Sequence, residues 1–557
     1  MYRRRRWHED WRNYLVRSLE PREAIGSHRE RKNEMTKARE KSDDRVVPED
    51  RRKATPSAEV ERGGKAGTQR EQAGQLGLRF GTADSPQGDV AGTVMSQLTT
   101  VTSAVPKPKS TKSTRLRPMT MEEIAEEENL LRAFKHVASN DGAAGPDGES
   151  ITEVRKHLDD VIATLHRKLL DETYRVGEIR RVWIPKASGG RRGLGIPNVI
   201  DRIVQQAVHD VLSPHYEATF HESSHGFRPE RSCHTAIAEA KRHLEDGHEW
   251  VVDIDLSNFF DRVHHQRLLG RLAQRVHDAR VVQLISRMLR AKVVMPDGVV
   301  VSTEEGTPQG GPLSPLLSNI VLDELDRELA TRNHHFVRYA DDCNIYVRSE
   351  RAGHRVMTSI TRFIERRLRL LVNTRKSAVA RPEERHFVGF RLRSNAESDT
   401  VDVLVSKRSK ERLGAKIREL TPRNWGQAIA TCIAKLNSYV RGWVAFFGIC
   451  TEAEVRMLQT IDAHVRRRLR ALQLKQWKRK RTIVRKLIDH GVRSSKVWQR
   501  IYRGHQSWWV LSHIALVERA LSNAHFERMG VLSFERQWRA IHAKIAIGPT
   551  QLALRLG

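Results

Sequence analysis

Cysteine is scarce in this chain of 557 residues: Cys233, Cys343, Cys432 and Cys450 are all there is, and no two form a CxxC pair. That spacing excludes a zinc ribbon and a disulfide-stapled scaffold, and it suits a reducing cytosol. Long apolar runs are missing as well, since nothing approaches the roughly 20 residues of a membrane span. The opening MYRRRRWHEDWRNYLVR has a signal peptide's positive charge without the apolar stretch that would follow it. With no lipidation signal either, a soluble protein of the cytoplasm that avoids membranes is the expectation. Acidic residues are in deficit, 68 Asp and Glu against 98 Lys and Arg, for a formal net charge of +30. Solubility does not require such an excess, and it costs self-repulsion. It points to a polyanionic partner, nucleic acid before membrane.

The length implies two to four domains. Residues 1–118 are rich in charge, Gly, Pro and Ser, with few aromatics and no sustained period, and VPKPKSTKSTRLRP closes them like a linker. They read as a basic, largely disordered extension, either an arm that touches RNA or a dispensable segment. At MTMEEIAEEENLLRAFKHVA the pattern becomes helical, with Thr120 as cap and Ile124, Leu131, Phe134 and Val137 as an apolar stripe. From about 150 to 395, helical segments alternate with short β-branched runs: RRVWIP, WVVDIDL, VVMPDGVVVS, FVRYADD and NIYVR. From about 406 the strands vanish, and there is no internal repeat.

Two acidic sites stand out against the basic background. WVVDIDLSNFFDRV leads apolar strand residues into Asp253 and Asp255, two apart and so on one face. FVRYADDCNIYV sets Asp341 and Asp342 where a strand hairpin turns. A carboxylate among apolar strand residues is costly unless it is paired or bound to metal. Carboxylates on neighbouring strands are what two Mg²⁺ ions need for phosphoryl transfer. Each site alone is also what an ordinary turn contains. Between them runs GTPQGGPLSPLLSNIVLDELD, a Gly/Pro loop entering a helix, where Gly310 and Gly311 permit close backbone approach and Gln309 can meet a base pair or sugar. Upstream, Lys186, Arg191 and Arg192 surround a glycine turn fit to hold a triphosphate, or simply form solvated surface.

IPKASGGRRGLGIP, HGFRPERS, DIDLSNFFDRV, GTPQGGPLSPLLSNI, YADD, LRLLVNTRKS and FVGF occur in this order. With these seven motifs the chain resembles the reverse transcriptase–maturase proteins encoded by bacterial group II introns, from about 120 to 530. The resemblance implies an α+β right-hand polymerase followed by an all-α thumb or maturase (X) domain. The expected divisions are a helical part of the fingers over 119–175, fingers and palm over 176–400, the thumb over 401–510 and a short basic C-terminal region over 511–557. It implies Asp255, Asp341 and Asp342 as catalytic metal ligands for two Mg²⁺ ions, with Mn²⁺ able to substitute. Asp255 is preferred over Asp253 because an aromatic, Phe260, stands five residues on. Lys186, Arg192, Phe260, Gln309, Gly310 and Lys376 would form the nucleotide pocket, and Phe387, Gly389 and Phe390 the primer grip.

RNA contacts are expected from the basic run Arg466, Arg467, Arg468, Arg470, Lys475, Lys478, Arg479, Lys480 and Arg481, with Trp477 for stacking. Many members of the family end in an HNH endonuclease with paired cysteines. No such pairs occur here, so the resemblance is to the endonuclease-lacking lineage, without DNA nicking of its own. The implied function is an RNA-directed DNA polymerase that copies intron RNA and assists its splicing and retrohoming, with intron RNA, a DNA target or primer and dNTPs as partners. The alternatives are a domesticated or defence-associated reverse transcriptase without an intron, and a splicing-only RNA-binding maturase. Monomer and dimer both stay open.

Overall fold

The computed structural model describes residues 116–185, 190–395, 399–422, 426–503 and 506–553, and only the backbone of 544–553. The extension expected over 1–118 lies outside the described residues as far as 115. Thr120 does cap a helix, its hydroxyl accepting from the Glu123 N–H. That helix, Met121–Ala125, ends at once, because Glu126 is extended (φ −52°, ψ 129°), and Glu127–Ser139 starts anew. The break shifts the helical frame by one position. Leu130 therefore takes the core place expected of Leu131, beside Ile124, Phe134 and Val137.

Among the described residues there are ten strands: β1 (Ile179–Pro185), β2 (Arg191–Pro197), β3 (Trp250–Ile254), β4 (Val293–Val294), β5 (Val300–Val301), β6 (His335–Tyr339), β7 (Asp342–Val347), β8 (Ala378–Ala380), β9 (Phe390–Asn395) and β10 (Thr400–Val405); the five β-branched runs account for β1 and β3 to β7. They make a sheet of order β2-β1-β4-β5, a central sheet of order β6-β7-β3-β8, and the β9–β10 hairpin. In the central sheet every pairing is antiparallel, with Asp253 opposite Asn344, Val252 opposite Ile345 and Tyr339 opposite Asp342.

Strand alternation sorts this sheet into two faces. Val252, Ile254, Phe336, Arg338, Cys343, Ile345 and Val347 share one. The helices Ser314–Thr331 and Glu350–Phe363 cover it, the second so closely that a Cβ on Gly353 would come 2.5 Å from Val379 Cγ1. Asp253, Asn344, Tyr346 and Asp342 point to the other face. There the helix Cys233–Glu245 runs from Cys233, hydrogen-bonded to the Tyr339 side chain, to His243, 5.3 Å from the Tyr346 ring. At the acidic end Asp342 is exposed, and Asp253, Asp255 and Asp341 are half-buried.

After β10 the chain is helical: Lys407–Leu420, Ile429–Phe447, Val455–Trp477 and Lys480–Asp489, with shorter helices beyond. The division expected at 400 therefore falls inside the β9–β10 hairpin, and the helical region begins at Lys407. Leu458, Ile461, Val465, Leu469 and Leu472 form a buried stripe at helical spacing. Lys478, at φ +55°, ends that helix and turns the chain into the next. Among the described residues no helix is long and apolar enough to cross a membrane.

Candidate active site

β6 and β7 are joined through Ala340 and Asp341 alone, and Ala340 takes φ +56° to make so tight a return. Asp342 is the first residue of β7. β3 runs antiparallel beside it and ends at Ile254, so Asp255 stands just past the strand end near the turn. Its backbone is fixed on both sides: the Asp255 N–H donates to Ser377 Oγ (3.0 Å), and its carbonyl accepts from the Asn373 N–H (2.8 Å). Lys376 Nζ lies 3.2 Å from the Asp255 carboxylate. Asp253, which shares this face, is taken up by Arg385 through Nε (2.8 Å) and Nη2 (2.5 Å). Both carboxylates thus have a cation, Asp253 a two-point arginine and Asp255 a single exposed lysine.

Asp341 and Asp342 are both shifted toward protonation. Loss of hydration is the largest cause for each. For Asp341 the Asp255 charge adds to it, offset by Arg192 and Lys376. Asp342 is pushed up to about 7 although its side chain reaches solvent, because Asp341, Asp253 and Asp255 all act on it in a crowded cleft. Among the described residues no three His, Cys, Asp or Glu side chains are gathered closely enough to cage a metal. The donor set nevertheless fits Mg²⁺, a hard cation usually held by one or two carboxylates together with substrate phosphates rather than by an all-protein cage. The uncompensated negative charge on this turn is what such a cation would relieve.

The turn is held from below by residues that the sequence reading did not single out. Arg338, on the far face of β6 and fully buried, donates through Nε and Nη2 to the two Asp326 oxygens (2.7 and 2.6 Å). Nη2 also reaches Ser224 Oγ (2.7 Å), and Nη1 reaches Asn319 Oδ1 (3.0 Å) and the Ala340 carbonyl (2.8 Å). From the side, the HGF stretch pairs with β6 through His225 N–H to the Arg338 carbonyl (2.8 Å). A Cβ on Gly226 would sit 2.2 Å from the Ala340 nitrogen, so glycine is required for that approach. The available signal was the arginine inside FVRYADD, an expensive charge for an apolar strand.

Two of the nucleotide-pocket candidates, Phe260 and Gln309, are tied to neighbouring segments by backbone bonds. The Thr307 N–H donates to the Phe260 carbonyl (2.6 Å), and the Gly195 N–H of β2 donates to the Gln309 carbonyl (2.7 Å). Gly310, at φ +127°, leaves no room for a side chain, because a Cβ would lie 2.5 Å from the Gly195 oxygen. Phe260 and Gln309 are half-buried; Arg192 and Lys376 are exposed. Lys186 lies outside the described residues.

Phe387 and Phe390 exchange backbone bonds (3.0 and 2.8 Å) around Val388 at φ +43° and Gly389 at φ +95°. Positive φ at both central residues is the backbone of a type I′ return. The Gly389 carbonyl accepts from Ser409 Oγ, and Phe390 packs on Phe446 and Phe447 of the helix Ile429–Phe447. This turn ties the central sheet to the helical region.

The basic run divides by what each side chain touches. Arg468 donates to Thr421 Oγ1 (2.5 Å) and carbonyl (2.6 Å), and the buried Arg470 donates to the Leu521 carbonyl (2.9 Å) and Glu518 (3.2 Å). These two, expected on an RNA face, join helices instead. The Arg467 guanidinium lies 4.0 Å over the Trp509 ring, and Lys480 Nζ 5.5 Å over Tyr502. Trp477 is half-buried, 6.2 Å from His490, while Arg466 and Lys475 are partly exposed. Lys478, Arg479 and Arg481 are fully on the surface.

Residues 184–392 match the family model described as reverse transcriptase (RNA-dependent DNA polymerase), and 410–488 match the group II intron, maturase-specific domain. Protein YkfC of Escherichia coli (strain K12) is 41% identical over 215 residues, which cover 38% of this chain and 56% of that protein. The group II intron-encoded protein LtrA of Lactococcus lactis subsp. cremoris is 38% identical over 203 residues, 35% of this chain and 32% of the relative. The chain thus spans about half of the first protein's length and a third of the second's. A solved Cas6-RT-Cas1–Cas2 complex is similar over 47% of this chain and 45% of its own at a TM-score of 0.30 and 23% identity, too slight a likeness to argue from.

Proposed function

We propose, for a chain that carries a reverse transcriptase domain followed by a group II intron maturase-specific domain, that it is an RNA-directed DNA polymerase which copies intron RNA and assists its splicing. The observation that carries the reading is the meeting of Asp255, Asp341 and Asp342 at one end of the central sheet, with Arg192 and Lys376 near enough to act on Asp341.

Asp255, Asp341 and Asp342 would hold two divalent cations, Mg²⁺ or Mn²⁺. When bound, these would acidify the primer's terminal hydroxyl and stabilise the leaving oxygens. Every other part of the work falls to the chain's own groups. Arg192, and with it Lys186, would pair with the incoming triphosphate. Phe260 would sense the sugar, and Gln309 with Gly310 would bring the 306–311 loop against the new base pair. Lys376, 3.2 Å from the Asp255 carboxylate, would give a proton to departing pyrophosphate. Phe387, Gly389 and Phe390 would hold the primer strand, since their turn sits between sheet and thumb. Arg466, Arg467, Lys475, Trp477, Lys478, Arg479, Lys480 and Arg481 remain candidates for contacts to intron RNA.

The test is oligo(dT)-primed extension on poly(rA) with Mg²⁺, for the wild type and for Asp341→Ala. Incorporation by the wild type and its loss in the variant is the expected result. Extension by Asp341→Ala at the wild-type rate would remove the proposal's basis.

A further inference from the structure

The helix Glu350–Phe363 buries Gly353, Val356 and Ile360 against the sheet face opposite the carboxylates. Its outer face therefore looks away from the cleft. That face carries Arg351, His354, Arg355, Thr358 and Arg362, all exposed at helical spacing. They line an open trough of about 960 Å³. From the neighbouring helix end, Arg332 leans in and donates to Ser359 Oγ (3.2 Å). The acid in the trough is Glu350, and it stands by His354 (3.8 Å). Arg351, Arg355 and Arg362 have no carboxylate within ion-pair distance among the described residues.

Unpaired arginines so close together repel one another and add nothing to the fold. Elsewhere on the same surface the protein does pair them, as with Arg327 and Asp323 or Arg332 and Glu328. From Arg351 to Arg362 the row extends about 16 Å along the helix axis, and Arg351 and Arg355 are about 6 Å apart along it, a spacing suited to successive phosphates. The row and the carboxylates lie on opposite sides of the central sheet, with the helix's buried face packed between. We propose that Arg351, Arg355 and Arg362 form a second nucleic-acid surface on the back of the palm, which grips the phosphate backbone of a structured RNA outside the catalytic cleft. The inference rests on the polymerase–maturase reading only for its choice of RNA as the partner.

The experiment compares the wild type with the triple variant Arg351→Gln, Arg355→Gln, Arg362→Gln in the full chain. Three readouts are used: anisotropy with a long RNA stem-loop across a salt series, the same with a DNA duplex and with anionic lipid vesicles, and short-template extension on poly(rA)/oligo(dT). The expected result is roughly tenfold or greater loss of stem-loop affinity at moderate salt and a salt slope lower by about two to three, with short-template extension unchanged. Thr358→Lys, which adds a cation to the middle of the row, should tighten stem-loop binding, and it keeps the test alive if the triple variant does not fold. Unchanged stem-loop affinity in both variants overturns the proposal. So does a loss confined to DNA or vesicles, or a parallel fall in short-template extension. A wild type that incorporates no dNTP fails the polymerase reading instead, and leaves the stem-loop comparison standing.

Discussion

Arg338 and Asp326 form a fully buried ion pair directly beneath the Ala340–Asp341 turn, and the same guanidinium holds the Ala340 carbonyl at 2.8 Å. The strand that delivers the carboxylates is thereby bolted to the helix Ser314–Thr331. Removing one partner leaves a buried charge uncompensated, at a cost of about 3–5 kcal/mol. Arg338→Met should lower the melting temperature and abolish extension. Adding Asp326→Leu should restore much of the stability without the activity, because nothing then holds the Ala340 carbonyl. Thermal melts and primer extension on the two variants decide this.

The Asp342 carboxyl titrates near 7 in the fold, above its ordinary value of 3.8. Its ionised form is therefore disfavoured in the folded state, and stability falls as pH rises from about 4 toward 7. Asp342→Asn removes that slope. In EDTA the variant should match the wild type below pH 4, gain on it progressively up to pH 7, and lose the advantage when Mg²⁺ is added. A variant uniformly less stable across this range would contradict the crowding described for the turn.

Gly226→Ala should damage catalysis out of proportion to its size. The new methyl would meet the Ala340 nitrogen at 2.2 Å and its Cα at 2.9 Å, backbone atoms with no rotamer to escape into. Overpacking of this kind costs about 1–3 kcal/mol. The displaced turn should lower the extension rate at saturating dNTP, measured beside Gly270→Ala in the helix His265–Ala273, whose Cβ would meet nothing within 4 Å.

Val388 is β-branched yet sits at φ +43°, a conformation that costs such a residue about 1–3 kcal/mol. Val388→Asn supplies the Asn-Gly pair that a type I′ return prefers. The expected outcome is a higher melting temperature by calorimetry.

Arg468 and Arg481 separate packing from RNA contact. Arg468→Gln loses bonds to Thr421 and should destabilise the thumb by about 1–3 kcal/mol. Arg481→Gln should melt as the wild type does and bind RNA with a salt slope lower by about one. Melting curves and salt-dependent RNA binding on both variants tell the two roles apart.

What could be read from the amino-acid order was local. Strand alternation in WVVDIDL and FVRYADD and the glycines of TPQGG each depend on neighbours within a few residues, whereas the preference for Asp255 before Phe260 came from the family resemblance. The helical stripe was readable to within one residue, and it failed at Glu126 because a single extended residue shifts a 3.6-residue frame. What the tertiary structure alone decided was partnership. Asp253 and Asp255 share one strand face, and only the fold gives each its own cation, Arg385 132 residues from Asp253 and Lys376 121 residues from Asp255. Arg468 and Arg470 look like their basic neighbours until Thr421 and Leu521 are brought against them. The arginine in FVRYADD becomes the support of the turn only because Asp326 arrives from another helix. Period and turn chemistry determine which way a side chain points, but which charge it meets depends on how the elements stack. That stacking is settled by burial across the whole core rather than by any stretch of the chain.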